Sequence, residues 1–310
     1  MNKTSSPHVS IIVLNWNGLA DTIECIESIN KITYPNYSII VVDNGSSDNS
    51  ENTLRQRYPE IKIIQTGRNL GFAGGMNAGL RYALATGSDF MLLLNNDTIV
   101  DREAVVEMTQ AASSHSDFGM FSSKLYYYDS PDILWYAGAT FNPLLGWGRH
   151  RGFNERDVGQ YDVIEETDRP CGCSMMVTRE FCERAGLLNE DFFCYGEEVD
   201  WCLRGKKAGF KIMYVPSSRV WHKISSSTGG TTTLIYLYYS VRNTLKCIDY
   251  NAPLPLVFRF LRYNLVILIF FLSLFSMKSA KLLGMKRIYQ GVRDYFHGHM
   301  GEFSDSVKRE

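Results

Sequence analysis

Apolar residues in the first third of the chain alternate between short continuous runs and helical spacing. Val9 to Trp16 (V-S-I-I-V-L-N-W) reads as a strand buried on both faces; Leu19, Ile23, Ile26 and Ile29 then recur as on one face of a helix. Tyr37–Val42 predicts a second strand, running into D-N-G-S-S-D, and Ile61–Gln65 a third. Ala73–Ala85 predicts a helix, and Phe90–Leu94 a fourth strand running into N-N-D. Strands separated by helices of this length imply right-handed crossovers and a parallel sheet. Polar and glycine residues collect just after the strands' carboxyl ends, where open α/β sheets bind ligands.

From Phe118 to about Pro216 the pattern is less regular. Short strands are predicted at Gly119–Tyr128, Ile133–Phe141, Ser174–Thr178 and Lys211–Val215, and the charged, glycine-containing stretch Gly146–Asp168 is expected to be a mobile loop. Leu234–Asp249 predicts a helix, Leu254–Met277 is strongly apolar, and a basic tail follows. The expected organisation is an α/β domain over residues 1–230 and a helical segment over 231–310.

With 310 residues, 45% of them hydrophobic and 21% charged, the chain is globular and large enough for one domain plus an appendage. A net charge of -1 gives no reason to expect a nucleic-acid partner. The seven cysteines are scattered, and Cys171-x-Cys173 is too closely spaced for a zinc ribbon; they are expected as thiols in a reducing compartment. M-N-K-T-S-S-P-H has no apolar leader, so the catalytic part is expected in the cytoplasm.

The densest candidate chemistry is N-E-D-F-F-C-Y-G-E-E-V-D-W-C-L-R, residues 189–204. Glu190, Asp191, Glu197 and Glu198 lie close to Phe192, Phe193 and Tyr195, and Asp200 is expected to open and cap a helix. Carboxylates beside large rings are costly to desolvate, so the cluster is either an exposed helix start or a site holding a general base. Asp43 is either a ligand for a base or ribose, or an Asx-turn. Thr66–Gly79 (T-G-R-N-L-G-F-A-G-G-M-N-A-G) is neither a P-loop nor a dinucleotide fingerprint. Gly71, Gly74 and Gly75 allow close backbone approach there, and Arg68 could reach a phosphate. Asn95-Asn96-Asp97 suits a hard divalent ion or a plain polar strand end. His222 is either a packed histidine or a ligand residue at the edge of a Ser/Gly-rich loop. Tyr238, Tyr239, Arg242 and Asn243 form either a site or a packing helix with a buried arginine.

Taken in order, V-S-I-I-V-L-N-W-N-G, V-V-D-N-G-S-S-D, R-N-L-G-F-A-G-G-M-N-A-G, L-L-L-N-N-D, F-F-C-Y-G-E-E-V-D-W-C-L-R, V-W-H and Y-Y-S-V-R-N resemble the inverting glycosyltransferases of family 2, especially the rhamnosyltransferase-like branch. The resemblance covers roughly residues 8–245 and implies a GT-A fold, a Rossmann-like, mostly parallel sheet flanked by helices. It implies that Asp43 contacts the nucleotide base, and that Asn15, Arg68, Asn69, Gly71, Phe72, Asn77 and Asn96 complete the donor site. Asn95 and Asp97 match the ends of the D-x-D metal motif, with Asn in place of the first Asp, and His222 matches a late histidine that reaches metal or diphosphate. The implied cofactor is Mg²⁺ or Mn²⁺. Glu197-Glu198-x-Asp200 stands where the family has E-D-x-D, so Glu198 is the expected base. The expected donor is a nucleotide sugar, with dTDP-L-rhamnose favoured, and the acceptor a cell-surface glycan or lipid-linked saccharide. A non-catalytic nucleotide-sugar-binding or scaffold protein on the same fold is the second reading. A nucleotidyltransferase is the third, disfavoured because N-W-N-G after the first strand holds no cation.

Leu265–Phe275 is too short an uninterrupted apolar run for a comfortable membrane span, and Lys278, Lys281, Lys286 and Arg287 follow it. The pattern predicts a helix lying in the interface of an anionic membrane, peripheral at the cytoplasmic face of the inner membrane. The alternatives are a helix packed on the domain or on a partner copy, which leaves a homo-oligomer open, and a transmembrane hairpin.

Overall fold

A computed structural model describes residues 6–223, 234–251, 253–274 and 281–303. The first half runs β1 (Val9–Asn15), α1 (Leu19–Ile29), β2 (Tyr37–Asp43), α2 (Ser50–Arg57), β3 (Lys62–Gln65), α3 (Gly71–Ala85), β4 (Phe90–Asn95), β5 (Thr98–Val100) and α4 (Ala104–Ser114). Then come β6 (Phe118–Tyr127), β7 (Ser130–Tyr136), β8 (Ala139–Asn142), β9 (Trp147–His150), β10 (Glu165–Glu166), β11 (Ser174–Thr178), α5 (Arg179–Ala185), α6 (Glu197–Lys207) and β12 (Lys211–His222). Three helices close the described chain: α7 (Leu234–Asn251), α8 (Leu256–Ser273) and α9 (Lys281–Phe296). The boundary expected at residue 230 and the Ser/Gly-rich loop after His222 lie outside the described residues.

The main sheet has the order β10-β12-β6-β11-β4-β1-β2-β3, with β5 on β12 and β7 on β6. β3, β2, β1 and β4 are mutually parallel, as are β6 and β12. β11 runs antiparallel to both β4 and β6, so the sheet is mixed. Alternation along β1 feeds two cores: Ile11 and Val13 pack with Ile26, Val41 and Leu94, whereas Ile12 packs with Val42, Met76, Leu80 and Leu93 on the other face. A third cluster joins α7, α8 and α9 through Leu237, Val241, Leu245, Val266 and Ile288.

Three expectations change. The strand expected over Ile133–Phe141 is two strands, broken at Gly138, whose φ of 93° is open to glycine at little cost. The stretch expected to be a mobile loop contains β9, which pairs residue for residue with β8, and β10, which extends the main sheet. The helix expected to open at Asp200 starts at Glu197, with Gly196 as N-cap. Asp200 is wholly buried inside it: its carboxylate accepts from Arg204 Nε at 2.8 Å and from Asn251 Nδ2 of α7 at 2.9 Å.

Candidate active site

Parallel register brings Asn15 opposite Asp43 and Leu14 opposite Asn95 at the carboxyl edge of the sheet. Asn15 is wholly buried and organises that edge. Its Nδ2 donates to Asp43 Oδ2 at 2.9 Å, and its Oδ1 accepts from Gly18 N, Thr22 Oγ1 and Asn96 Nδ2. Asp43 also accepts from Ser46 N and Gln65 Nε2, both at 2.9 Å, and has no exposed surface. The carboxylate thus holds its own loop, through the N–H three residues on, and the neighbouring strand β3.

The glycine-rich run is shaped chiefly by its own chain. Gly71 has φ 72°, and a Cβ there would lie 2.3 Å from Phe193 O; a Cβ at Gly75 would lie 2.4 Å from Leu14. Asn77 is bracketed to the acidic segment, donating to Leu188 O and Glu190 Oε1 and accepting from Leu188 N. Arg68 is exposed.

Beyond this edge lies a cavity of about 700 Å³, within the usual range for small-ligand sites. Asn69, Gly71, Phe72, Asn95, Asn96, Asp97, Glu198 and His222 line it; Asn15, Asp43, Arg68 and Asn77 do not. Asn95 ends β4, Asp97 lies in the turn before β5, and β5 pairs with β12 so that His222 lies opposite Thr98. His222 Nε2 is thereby 3.0 Å from Asp97 Oδ1, both side chains nearly buried. Burial opposes a charge on the ring, but the hydrogen bond and the charge of Asp97 outweigh it and raise the His222 pKa.

The acidic segment lines the same cavity. Its backbone bends sharply at Phe193 (φ 64°, ψ -66°), where Cys194 N donates to Phe192 O at 2.8 Å, a strained γ-turn. Tyr195 and Gly196 also have positive φ. Helix α7 clamps this bend: Asn243 Nδ2 donates to Phe192 O, Cys194 O and Tyr195 O at 2.7–2.9 Å, and Arg242 Nη2 donates to Phe192 O at 3.0 Å. Arg242 is itself fully buried, its guanidinium 4.9 Å from the Tyr239 ring centroid. The Y-Y-x-x-R-N motif is thus a packing helix that also shapes the site.

The clamped bend delivers Glu197 and Glu198 to the start of α6. Glu198 Oε1 accepts from Arg169 Nη1 and Oε2 from Gly196 N, each at 3.2 Å. Glu197 is buried, and its Oε2 has no hydrogen-bond partner. Burial and the neighbouring Glu198 charge raise its pKa well above the ordinary carboxylate range. Arg169 escaped the sequence reading because it falls just past the stretch read as a loop, Gly146–Asp168, and in none of the motifs. The hairpin β8–β9 and the inner face of α8 (Val266, Ile269, Phe270) complete the cavity and were equally hidden. All seven cysteines are free thiols, and Cys171 and Cys173 stand 3.6 Å apart in the cavity wall.

Sheet order, site position and a cavity at the carboxyl edge define a GT-A nucleotide-sugar domain. The family model described as glycosyl transferase family 2 matches residues 10–182, and the chain belongs to that family. It is 29% identical over 219 residues to a low-salt glycan biosynthesis hexosyltransferase of Haloferax volcanii, covering 68% of this chain and 66% of that relative. It is 28% identical over 224 residues to an N-acetylglucosaminyl-diphospho-decaprenol L-rhamnosyltransferase of Mycobacterium tuberculosis, covering 66% of this chain and 72% of the relative. Among solved structures it resembles a mannosyltransferase of Pyrobaculum calidifontis in complex with GDP-Man and Mn²⁺. That likeness has a TM-score of 0.57 at 14% identity and covers 95% of this chain and 76% of the other.

Proposed function

We propose that this glycosyltransferase moves a hexosyl group, with L-rhamnose from dTDP-L-rhamnose favoured, from a nucleotide sugar to a glycan or lipid-linked acceptor with inversion. The single observation that carries the reading is one cavity lined by Asn95, Asp97, His222 and Glu198 together. The rhamnosyl assignment is supported by the mycobacterial relative's name.

The donor set of Asn95, Asp97 and His222 fits a divalent ion such as Mg²⁺ or Mn²⁺: one carboxylate, one imidazole and one amide oxygen border the same cavity, and His222 Nδ1 is buried without a hydrogen-bond partner. When bound there, such an ion supplies positive charge to the leaving nucleoside diphosphate. The chain's own groups do the rest. Glu198 takes the proton of the acceptor hydroxyl as that oxygen bonds to the anomeric carbon, and the bond from that carbon to the diphosphate oxygen breaks in the same displacement. Phe193 and Tyr195 line the cavity beside Glu198 and limit water there.

The proposed place of work is the inner face of a membrane. Among the described residues, Leu256–Ser273 is the one helix with the length and apolarity of a candidate span, at mean hydropathy 1.8. Its exposed face carries Leu256, Val257, Phe260, Leu261, Leu265, Leu268 and Leu272. Its cations turn inward toward α7: Arg259 Nη2 is 2.6 Å and Arg262 Nη2 3.7 Å from Asp249. Its polar side chains Asn264 and Ser273 donate to their own helix's carbonyls, Phe260 O and Phe270 O. A face whose polar groups are satisfied internally suits hydrocarbon.

The test is a calorimetric panel of UDP-, GDP- and dTDP-sugars with Mg²⁺ or Mn²⁺, followed by donor hydrolysis and transfer. Metal-dependent binding with turnover is expected. Binding without turnover for every donor would favour the non-catalytic reading.

A further inference from the structure

We propose that Arg169 is a positioning residue for the base: it holds the Glu198 carboxylate in the cavity wall and distinguishes it from its neighbour Glu197. The inference rests on the inverting-transfer reading above. Three observations carry it. The Arg169–Glu198 pair, at 3.2 Å, is only 15% and 14% exposed, so solvent screens it little. The second oxygen of Glu198 is held by Gly196 N at the first turn of α6, where the helix's own N–H groups favour an anion. Glu197, one residue earlier, has no cation or donor on its sealed Oε2. Two adjacent carboxyls in opposed surroundings take different roles.

Arg169 is itself fixed from both sides. Its carbonyl accepts from the Tyr136 hydroxyl at 2.7 Å. The preceding Asp168 accepts from Phe141 N at 2.8 Å and from Lys206 Nζ of α6 at 3.0 Å. Consecutive residues thus grip α6 at two points, Asp168 at Lys206 and Arg169 at Glu198. A Cβ at Gly148 would lie 3.2 Å from Arg169 Nε, so the β8–β9 hairpin closes over the guanidinium. The arrangement sets the direction of the Glu198 carboxylate before any acceptor arrives.

The experiment is a double-mutant cycle on the full chain, reading kcat and donor KM for whichever UDP-, GDP- or dTDP-sugar the wild type hydrolyses fastest. Glu198→Gln is expected to lower kcat by about 10²- to 10⁴-fold. Arg169→Met is expected to lower kcat by about 10- to 100-fold, with donor KM unchanged and partial recovery in Arg169→Lys. In the Glu198→Gln background Arg169→Met should cost less than about threefold more, because the residue it positions is gone. Multiplying losses in the double variant, or full turnover in Arg169→Met, would overturn the inference. Full turnover in Glu198→Gln would instead overturn the base assignment on which it rests.

Discussion

At Glu197 and Glu198 one side-chain chemistry is placed in two surroundings, and the difference is measurable. The raised Glu197 pKa means that folding favours its protonated form. Its contribution is therefore fully present below the unfolded value and is lost as pH rises through the folded one. Glu197→Gln removes that dependence. The variant's Tm should gain on wild type as pH rises above about 4.5, and should show no such gain at acid pH. A pH-independent difference in thermal melts would show that Glu197 is ionised in the folded protein. At Glu198, shortening to Asp keeps a proton acceptor on the same backbone, so Glu198→Asp should retain more turnover than Glu198→Gln; equal losses would point to another base. The motif made both glutamates visible in the sequence, but their partners were not. Arg169 precedes them by 28 and 29 positions, and only the fold brings one of the two to its guanidinium. Asp200 was misread as a cap for a related reason: Gly196, at φ 92°, starts the helix earlier, which turns Asp200 inward to Arg204 and Asn251.

Between elements, α7 and α6 do most to shape the site. Asn243 serves three carbonyls of the strained bend; Asn243→Ala leaves Phe192 O its bonds from Arg242 and Cys194 N but takes the donor from Cys194 O and Tyr195 O, at about 1–3 kcal/mol each. It should lower both Tm and kcat while nucleotide binding persists, as calorimetry would show; unchanged kcat would mean the bend holds itself. Asp200→Ala removes one partner of a buried ion pair and should cost about 3 kcal/mol in denaturant unfolding, with a smaller effect on turnover. The parallel strands β1, β2 and β4 were legible as buried apolar runs, with a helical period after β1 and before β4, and β3 as a short apolar run of its own. β11 was found but its reversal was not, since S-M-M-V-T presents the same pattern in either direction. Helix α2 was missed because S-E-N-T-L-R-Q-R buries only Ser50 and Leu54 and has almost no apolar stripe.

At the scale of the molecule, the sequence suggested attraction of cations to anionic lipid, whereas the structure gives the apolar face more weight. Arg287 is half-buried, with its guanidinium 4.6 Å from the Phe303 ring centroid, while Lys281 and Lys286 remain exposed beside Leu282 and Met285. Each large apolar side chain buried in lipid contributes about 1.5–3 kcal/mol, against about 1 kcal/mol for a cation near the surface. In vesicle flotation, Leu261→Glu, Leu265→Glu and Leu268→Glu together should abolish binding. Lys281→Glu with Lys286→Glu should weaken it, and more so at low salt than at high salt. Flotation unaffected by the leucine changes would mean that α8 covers protein rather than lipid. The other face of the same helix lines the cavity that holds Glu198. Were α8 seated at the membrane as proposed, it would set the height of the reaction above the bilayer and make the enzyme a gauge. An acceptor hydroxyl one or two sugars from its lipid anchor should be in reach, and the same hydroxyl on a longer lipid-linked chain should be carried past the base, so turnover on vesicle-borne acceptors should fall with each added sugar while free oligosaccharides show no such cutoff.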